Sequence, residues 1–258
     1  MNKVNINKIL YISLFILLVF NVIIFINYFI DKNSSYVILN SNNIIKINNN
    51  KVSIYKKKYQ KLNYSSAKLY NGEDVIDGYI KIKEDSKTGY TNINFYKKSM
   101  ELADINDSII VIGDNKITDY TNLMSNSISN EDSKIISKFL KDNSIGKMND
   151  LTEATVTKIN GGKIYTARTL DFNNEDYNYS TIFSKIGDNY QLLFKSKGKE
   201  IFNKMSSLNK VVDLNNDNNA DLILETAPFG TDVDYCYSVF IYDKSKNNYN
   251  PVINCEED

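Results

Sequence analysis

The hardest constraint on this chain is an apolar run near its start. Residues 9–30 read ILYISLFILLVFNVIIFINYFI, 22 positions without a charged side chain. As a helix rising 1.5 Å per residue, such a run reaches about 33 Å, enough for a hydrocarbon core of about 30 Å. The run therefore predicts one transmembrane helix, with Tyr28 placed for the interfacial aromatic belt and Asn21 and Asn27 as its strongly polar members. A cleaved signal peptide would carry an apolar region of about 7–15 residues and then a small-residue cleavage site. This stretch is longer and runs into NYFIDKNSS, with no such triplet, which predicts retention as an anchor. Lys3 and Lys8 precede the run, while long domains cross a membrane with little regard to charge. The expected topology is a tail (1–8) inside, the anchor (9–30) as the membrane partner, and the remainder outside. Location in a bacterial cell membrane follows, single-pass because no second run is long enough.

Composition removes several chemistries. The chain has no His, so His-ligated zinc, Ser-His-Asp triads and His acid–base catalysis are excluded. Its 31 basic and 31 acidic residues balance, and the densest basic run, Lys56, Lys57, Lys58 and Lys61, is short and broken by Tyr59. A nucleic-acid binder concentrates positive charge, so nucleic acid is not an expected partner. Arg occurs once, at Arg168, amid abundant Asn, Ile, Lys and Tyr. That skew fits an AT-rich genome and makes Asn richness a poor sign of disorder. Hydrophobic residues at 42% give ample material for a core.

Beyond a short polar stalk (31–50), the pattern reads strand–turn–strand over 51–258. Alternating β-branched runs flank Asn48–Asn50 (in 44–55), Gly113–Asn115 (in 109–118), Asn160–Gly162 (in 157–167) and Gly187–Asn189 (in 184–194). Asn, Asp and Gly accept the positive φ of tight turns, so each predicts a hairpin. Further strands are expected at 78–83, 92–97 and around 220–226. One helix is expected near 131–142, capped by Asn130, with Ile135, Ile136, Phe139 and Leu140 on one face and Gly146 closing it. The fold class is thus mainly β and hairpin-rich, either propeller-like or α+β with that one helix. The helix either covers a sheet or divides the domain into 51–128 and 147–258.

The most specific chemistry lies in VVDLNNDNNADLILET (211–226). Asp213, Asn215 and Asp217 hold positions 1, 3 and 5 of a loop that can converge on a hard cation. Asn219 at position 7 supplies a backbone carbonyl, and Asp221 holds position 9. Asn218 stands where the loop needs a left-handed residue. An EF-hand is disfavoured, because its closing acid would fall on Leu224 and the flanks are strand-like. The stretch from Asp213 to Leu224 resembles the calcium-binding loop of the FG-GAP/VCBS, integrin-type propeller repeats, with Asn215 replacing an acid and Asn218 replacing Gly. The resemblance implies Ca2+ held by Asp213, Asn215, Asp217, Asn219 and Asp221, in a blade of an extracellular recognition domain. A fainter echo is DFNNEDYNY (171–179), where Asp171, Asn173 and Glu175 hold positions 1, 3 and 5 but Tyr179 takes position 9.

Cys236 and Cys255 flank two β-like runs. Setting 242 opposite 249 brings the cysteines face to face, within disulfide reach. The alternative is a pair of buried thiols. Taken together, these features predict a membrane-anchored, extracytoplasmic binding or structural domain, leaning away from enzyme, whose partner is another envelope protein or polymer. Two other readings stay open. One is an envelope hydrolase using carboxylates such as Asp171, Glu175 and Asp176. The other is an accessory subunit that packs Asn21 against a partner helix.

Overall fold

The computed structural model describes residues 13–19, 21, 34–39, 43–55, 59–72, 74–84, 91–105, 108–147, 151–171, 173–199, 205–227 and 236–255. The tail 1–8, most of the predicted anchor 9–30 and the basic run 56–58 lie outside them. Residues 13–19 and 21 are helical, with Asn21 Nδ2 donating to the Leu17 carbonyl at 2.8 Å. Among the described residues no helix is long and apolar enough to cross a membrane.

The chain builds three antiparallel sheets. Sheet I contains β1 (Ser35–Ile38), β2 (Ile44–Asn48), β3 (Lys51–Ile54), β4 (Ser66–Asn71), β5 (Asp74–Glu84), β6 (Thr91–Lys97) and β7 (Ile109–Ile112), in the order β3-β2-β1-β7-β4-β5-β6. Two very short strands follow, β8 (Thr118–Asp119) and β9 (Met124–Ser125). After a helix, Asn130–Asp142, come two four-stranded meanders. The first is β10 (Glu153–Ile159), β11 (Gly162–Thr169), β12 (Tyr179–Ile186) and β13 (Asn189–Lys197). The second is β14 (Met205–Asp213), β15 (Asp221–Ala227), β16 (Cys236–Asp243) and β17 (Asn248–Ile253). Strand β9 pairs with β10 to complete sheet II, and β8 pairs with β14 to complete sheet III. Strands from before the helix thus finish sheets made after it.

The sheets stack face to face, because each has apolar residues on both sides. One face of sheet I (Val37, Ile45, Val111) packs on sheet III (Val212, Ile223, Val239). The other face of sheet III (Val211, Leu222, Phe240) packs on sheet II (Ile164, Ile182, Phe194). Sheet II then receives the helix, with Ile136, Phe139 and Leu140 against Val156, Tyr165 and Phe183. The Phe139 and Phe183 rings stack 3.8 Å apart. The far side of sheet I closes over a separate core around Leu69, Ile80 and Phe95. Strand β12, YSTIFSKI, is buried along nearly its whole length because it is covered on both faces.

Several expectations change. The stalk 31–50 instead supplies β1 and β2, whose β-branched residues are core: Val37 and Ile45 are fully buried. The predicted 109–118 hairpin is not one. Strand β7 stays in sheet I, and the chain crosses through Gly113 (φ +97) to β8 in sheet III. The other three turns form as hairpins: Asn49 and Asn50 (φ +48 and +61), Asn160 and Gly161 (φ +50 and +72), and Gly187 (φ +60) before Asp188. The helix covers sheet II, and its cap is Ser129 rather than Asn130. The Ser129 hydroxyl accepts from the Asp132 amide at 3.1 Å and donates to the Asp132 carboxylate at 2.6 Å, which leaves Asn130 as the first helical residue.

Candidate functional site

Residues 214–220 join β14 to β15 at one end of sheet III, the central layer of the stack. Asn216 and Asn218 both take left-handed conformations, φ +58 and +62. Short Asn side chains tolerate that region better than other non-Gly residues, so the chain coils tightly here. The coil is tied by carboxylates. Asp213, ending β14, accepts the Asp217 amide at 3.2 Å and the Asn218 amide at 2.9 Å. Asp217 accepts the Asn219 amide at 2.9 Å and the Asn215 side-chain amide at 3.2 Å. Asp221, opening β15, accepts from the Leu214 amide at 3.0 Å and from the Tyr242 amide of β16 at 2.9 Å.

The charge is held under cover. Asp213 and Asp221 are 2% and 0% exposed. Burial pushes the Asp221 carboxyl up to about 8, against the lowering effect of its two amide donors, and the Asp217 and Asp213 charges push the same way. Burial, followed by the charges of Asp213 and Asp217, also raises the Tyr120 hydroxyl above its ordinary value. Asn215 donates through Nδ2 to the Asn50 carbonyl and to Asp217, but among the described residues its buried Oδ1 has no hydrogen-bond partner.

The fit to a cation is partial. Asn215 Oδ1, unpartnered among the described residues, and the Asp213 and Asp217 carboxylates are oxygen donors of the kind a hard cation takes. Asp221 is committed differently: both Asp213 oxygens hold amides of the loop itself, whereas Asp221, fully buried, ties the Leu214 amide of the loop to the Tyr242 amide of strand β16. Among the described residues, no group of three or more His, Cys, Asp or Glu side chains is gathered to hold a metal. The residues that suit a cation are therefore Asp213, Asn215 and Asp217 with the Asn219 carbonyl, while Asp221 fixes the loop's exit.

Two residues that sequence reasoning used only as turn formers anchor this loop. Asn115 donates to the Leu214 carbonyl at 2.7 Å and accepts from Asn216 at 2.8 Å. Asn160, from the β10–β11 turn of sheet II, pairs with both backbone groups of Ala220, at 2.7 and 2.9 Å, and donates to Tyr249 Oη at 3.1 Å. With Asn50 reaching in from the β2–β3 turn, all three sheets meet at the 214–220 loop. The buried ends of the loop, Leu214 and Ala220, ask for such partners for their backbone, but which distant turns supply them leaves no trace in local pattern.

The weaker echo at 171–179 is closed on itself. Asn178, fully buried, donates to the Asp171 carbonyl at 3.2 Å and accepts its amide, while the Asp171 carboxylate accepts the Asn173 amide at 2.8 Å. Asp171 and Asp176 are exposed and Glu175 is half-buried. On sheet III, Cys236 and Cys255 form a disulfide with Cα atoms 6.0 Å apart. Tyr242 pairs with Tyr249 in register, but a bulge between Val239 and Phe240 shifts the rest by one residue, so the cysteines are not directly opposed.

No protein-family model matches this chain, and no curated protein or solved structure matches it either.

Proposed function

We propose that this is a single-pass, membrane-anchored domain on the outer side of a bacterial cell membrane. It works by binding another envelope protein or polymer, and its sheet stack is locked at one end by calcium. The observation that carries the reading is the Cys236–Cys255 disulfide in a chain that also has the uncharged 9–30 run. Disulfides persist in oxidising compartments, and a retained apolar segment of spanning length would hold the domain at the membrane. Asp213, Asn215, Asp217 and the Asn219 carbonyl would hold the ion. When bound, calcium would supply positive charge beside the Asp213 and Asp217 carboxylates and a partner for Asn215 Oδ1, which has none among the described residues.

Topology is tested by adding protease to intact cells and to lysed cells that express the full chain. Cleavage of the domain in intact cells is expected, and protection until lysis overturns the placement. Calcium is tested by thermal melting of the full chain in detergent, with calcium and with chelator. A higher midpoint with calcium is expected, since a ligand bound only by the native state must stabilise it; equal midpoints overturn that part alone.

A further inference from the structure

Sheets II and III are sealed by apolar residues at one end of their shared interior, while at the other they are bridged by polar groups, the Ser180 hydroxyl donating to the Ser206 carbonyl at 3.4 Å. The sealed end is built from Ile159, Ile164, Ile182 and Ile186 against Leu222 and Phe240. Two-residue alternation carries the same face of sheet II onward through Thr157 and Thr155 on β10, Thr166 and Arg168 on β11, and Ser180 on β12. There the sequence turns from β-branched apolar to hydroxyl-bearing, and a cleft of about 180 Å³ opens between the sheets. It is lined by Glu153, Thr155, Thr166, Arg168, Ser180 and Ser206, among others, and among the described residues no aromatic ring lines it.

We propose that this cleft binds a small free α-amino acid, with the ligand carboxylate on Arg168 and its ammonium on Glu153. The chain's single arginine is placed here, and it pairs with Glu153 across β10 and β11. The pairing leaves both groups with capacity to spare. A guanidinium has five donors; Arg168 uses them on Glu153 Oε2 and, at 3.5 Å, on Met205 Sδ. Among the described residues, Glu153 Oε1 accepts no bond. A zwitterion matches this pair charge for charge.

The surrounding hydroxyls both donate and accept. Thr155 and Thr166 share a hydrogen bond at 2.7 Å, and Ser206 bonds Thr226. Next to the cleft, Thr157 and Ser196, the register partner of Ser180, hold buried hydroxyls with no hydrogen-bond partner among the described residues. Polar atoms are seldom left so inside an interior with no task for them. Size and lining exclude larger or different ligands. Drug-sized pockets run to about 300–1,000 Å³, and among the described lining residues a sugar ring finds no aromatic face for its C–H surface.

Calorimetric titration of the full chain in detergent tests the assignment, with alanine, N-acetylalanine, alanine amide and N-acetylglucosamine as probes. Alanine is expected to bind in the millimolar range or tighter. Removing either ligand charge should weaken binding about tenfold or more, as for a lost hydrogen bond to a charged group. Arg168→Gln and Glu153→Gln should lose binding to a similar degree. Thr155→Tyr, on the cleft face of β10, should block it without removing either charge. Unchanged circular dichroism and an intact disulfide show that each variant is folded. Absence of alanine binding overturns the proposal, as does alanine binding that survives Thr155→Tyr, and so does preferential binding of N-acetylglucosamine or alanine amide.

Discussion

Asn49 and Asn160 look alike in sequence, each opening a tight turn with positive φ, +48 and +50. Only Asn160 carries tertiary bonds, to Ala220 N and O and to Tyr249. Replacing each with Gly keeps the turn geometry and removes the side chain, which separates the two roles. Asn160→Gly is expected to cost about 2 kcal/mol, because buried backbone groups lose their partner. Asn49→Gly should stay within about 0.5 kcal/mol, as surface changes usually do; equal denaturant midpoints for the two variants would refute the distinction. Asp132 is a second case. Burial pushes its carboxyl up, but hydrogen bonds from Lys163, Ser129 and Tyr165 and the Lys163 charge outweigh it, so it falls from 3.8 to about 2. Lys163 lies 2.6 Å from it and Tyr165 Oη 2.9 Å. With the folded value below the unfolded one, the contribution is complete above 3.8 and disappears as pH falls toward 2. The stability difference between wild type and Asp132→Asn should therefore shrink across that window, by about 2 kcal/mol in total. Urea melts at a series of pH values would show it, and a difference that is flat with pH would count against it.

The helix shows the same separation at the scale of an element. It ends at Asn143, Ser144 takes a left-handed conformation (φ +53), and the Ile145 and Ser144 amides reach back to the Leu140 and Lys141 carbonyls at 3.0 and 3.1 Å. Those paired bonds form a Schellman motif, whose left-handed position favours Gly. Gly146, the residue that pattern nominated for this role, does another job: a Cβ there would lie 2.3 Å from the Tyr179 ring. Ser144→Gly is thus expected to stabilise by about 1 kcal/mol, and Gly146→Ala to destabilise by about 1–3 kcal/mol through overpacking. Melting midpoints that move the other way would contradict the assignment. The error at Gly146 marks where the sequence stops being legible. Strand and turn chemistry is local, so Asn48–Asn50, Asn160–Gly162 and Gly187–Asn189 announce their hairpins. At Gly113–Asn115 the same residue types serve a crossing between sheets, because Asn115 spends its side chain on Leu214 and Asn216. Strands β8 and β9 are two residues each, too short for any periodicity, so the closure of sheets II and III by pre-helix residues could not be read. For the 213–221 loop, spacing revealed Asn218's left-handed turn, but not that Asp221 would be taken up by the Leu214 and Tyr242 amides.

Across the whole molecule, sheet III is the shared wall of two cores, packing on sheet I through Val212 and Val239 and on sheet II through Val211 and Phe240. A cross-brace also joins its edge to sheet II: Gln191 of β13 donates to the Tyr249 carbonyl and accepts its amide, both at 2.7 Å. Weakening sheet III must therefore weaken its neighbours. The Cys236–Cys255 disulfide lies in that sheet and closes a loop of sequence separation 19. Constraining so short a segment of the unfolded chain is worth about 3 kcal/mol in the loop-entropy account. In the double variant Cys236→Ser and Cys255→Ser, stability should drop by about that amount. The loss should not stay in β16 and β17. Amide exchange measured by mass spectrometry should accelerate by a common factor in β11 and β12 of sheet II and in β15 of sheet III, because strands that share a core open as one cooperative unit. Faster exchange confined to β16 and β17 would mean that the sheets unfold separately, and that the central layer is not the support the shared cores require.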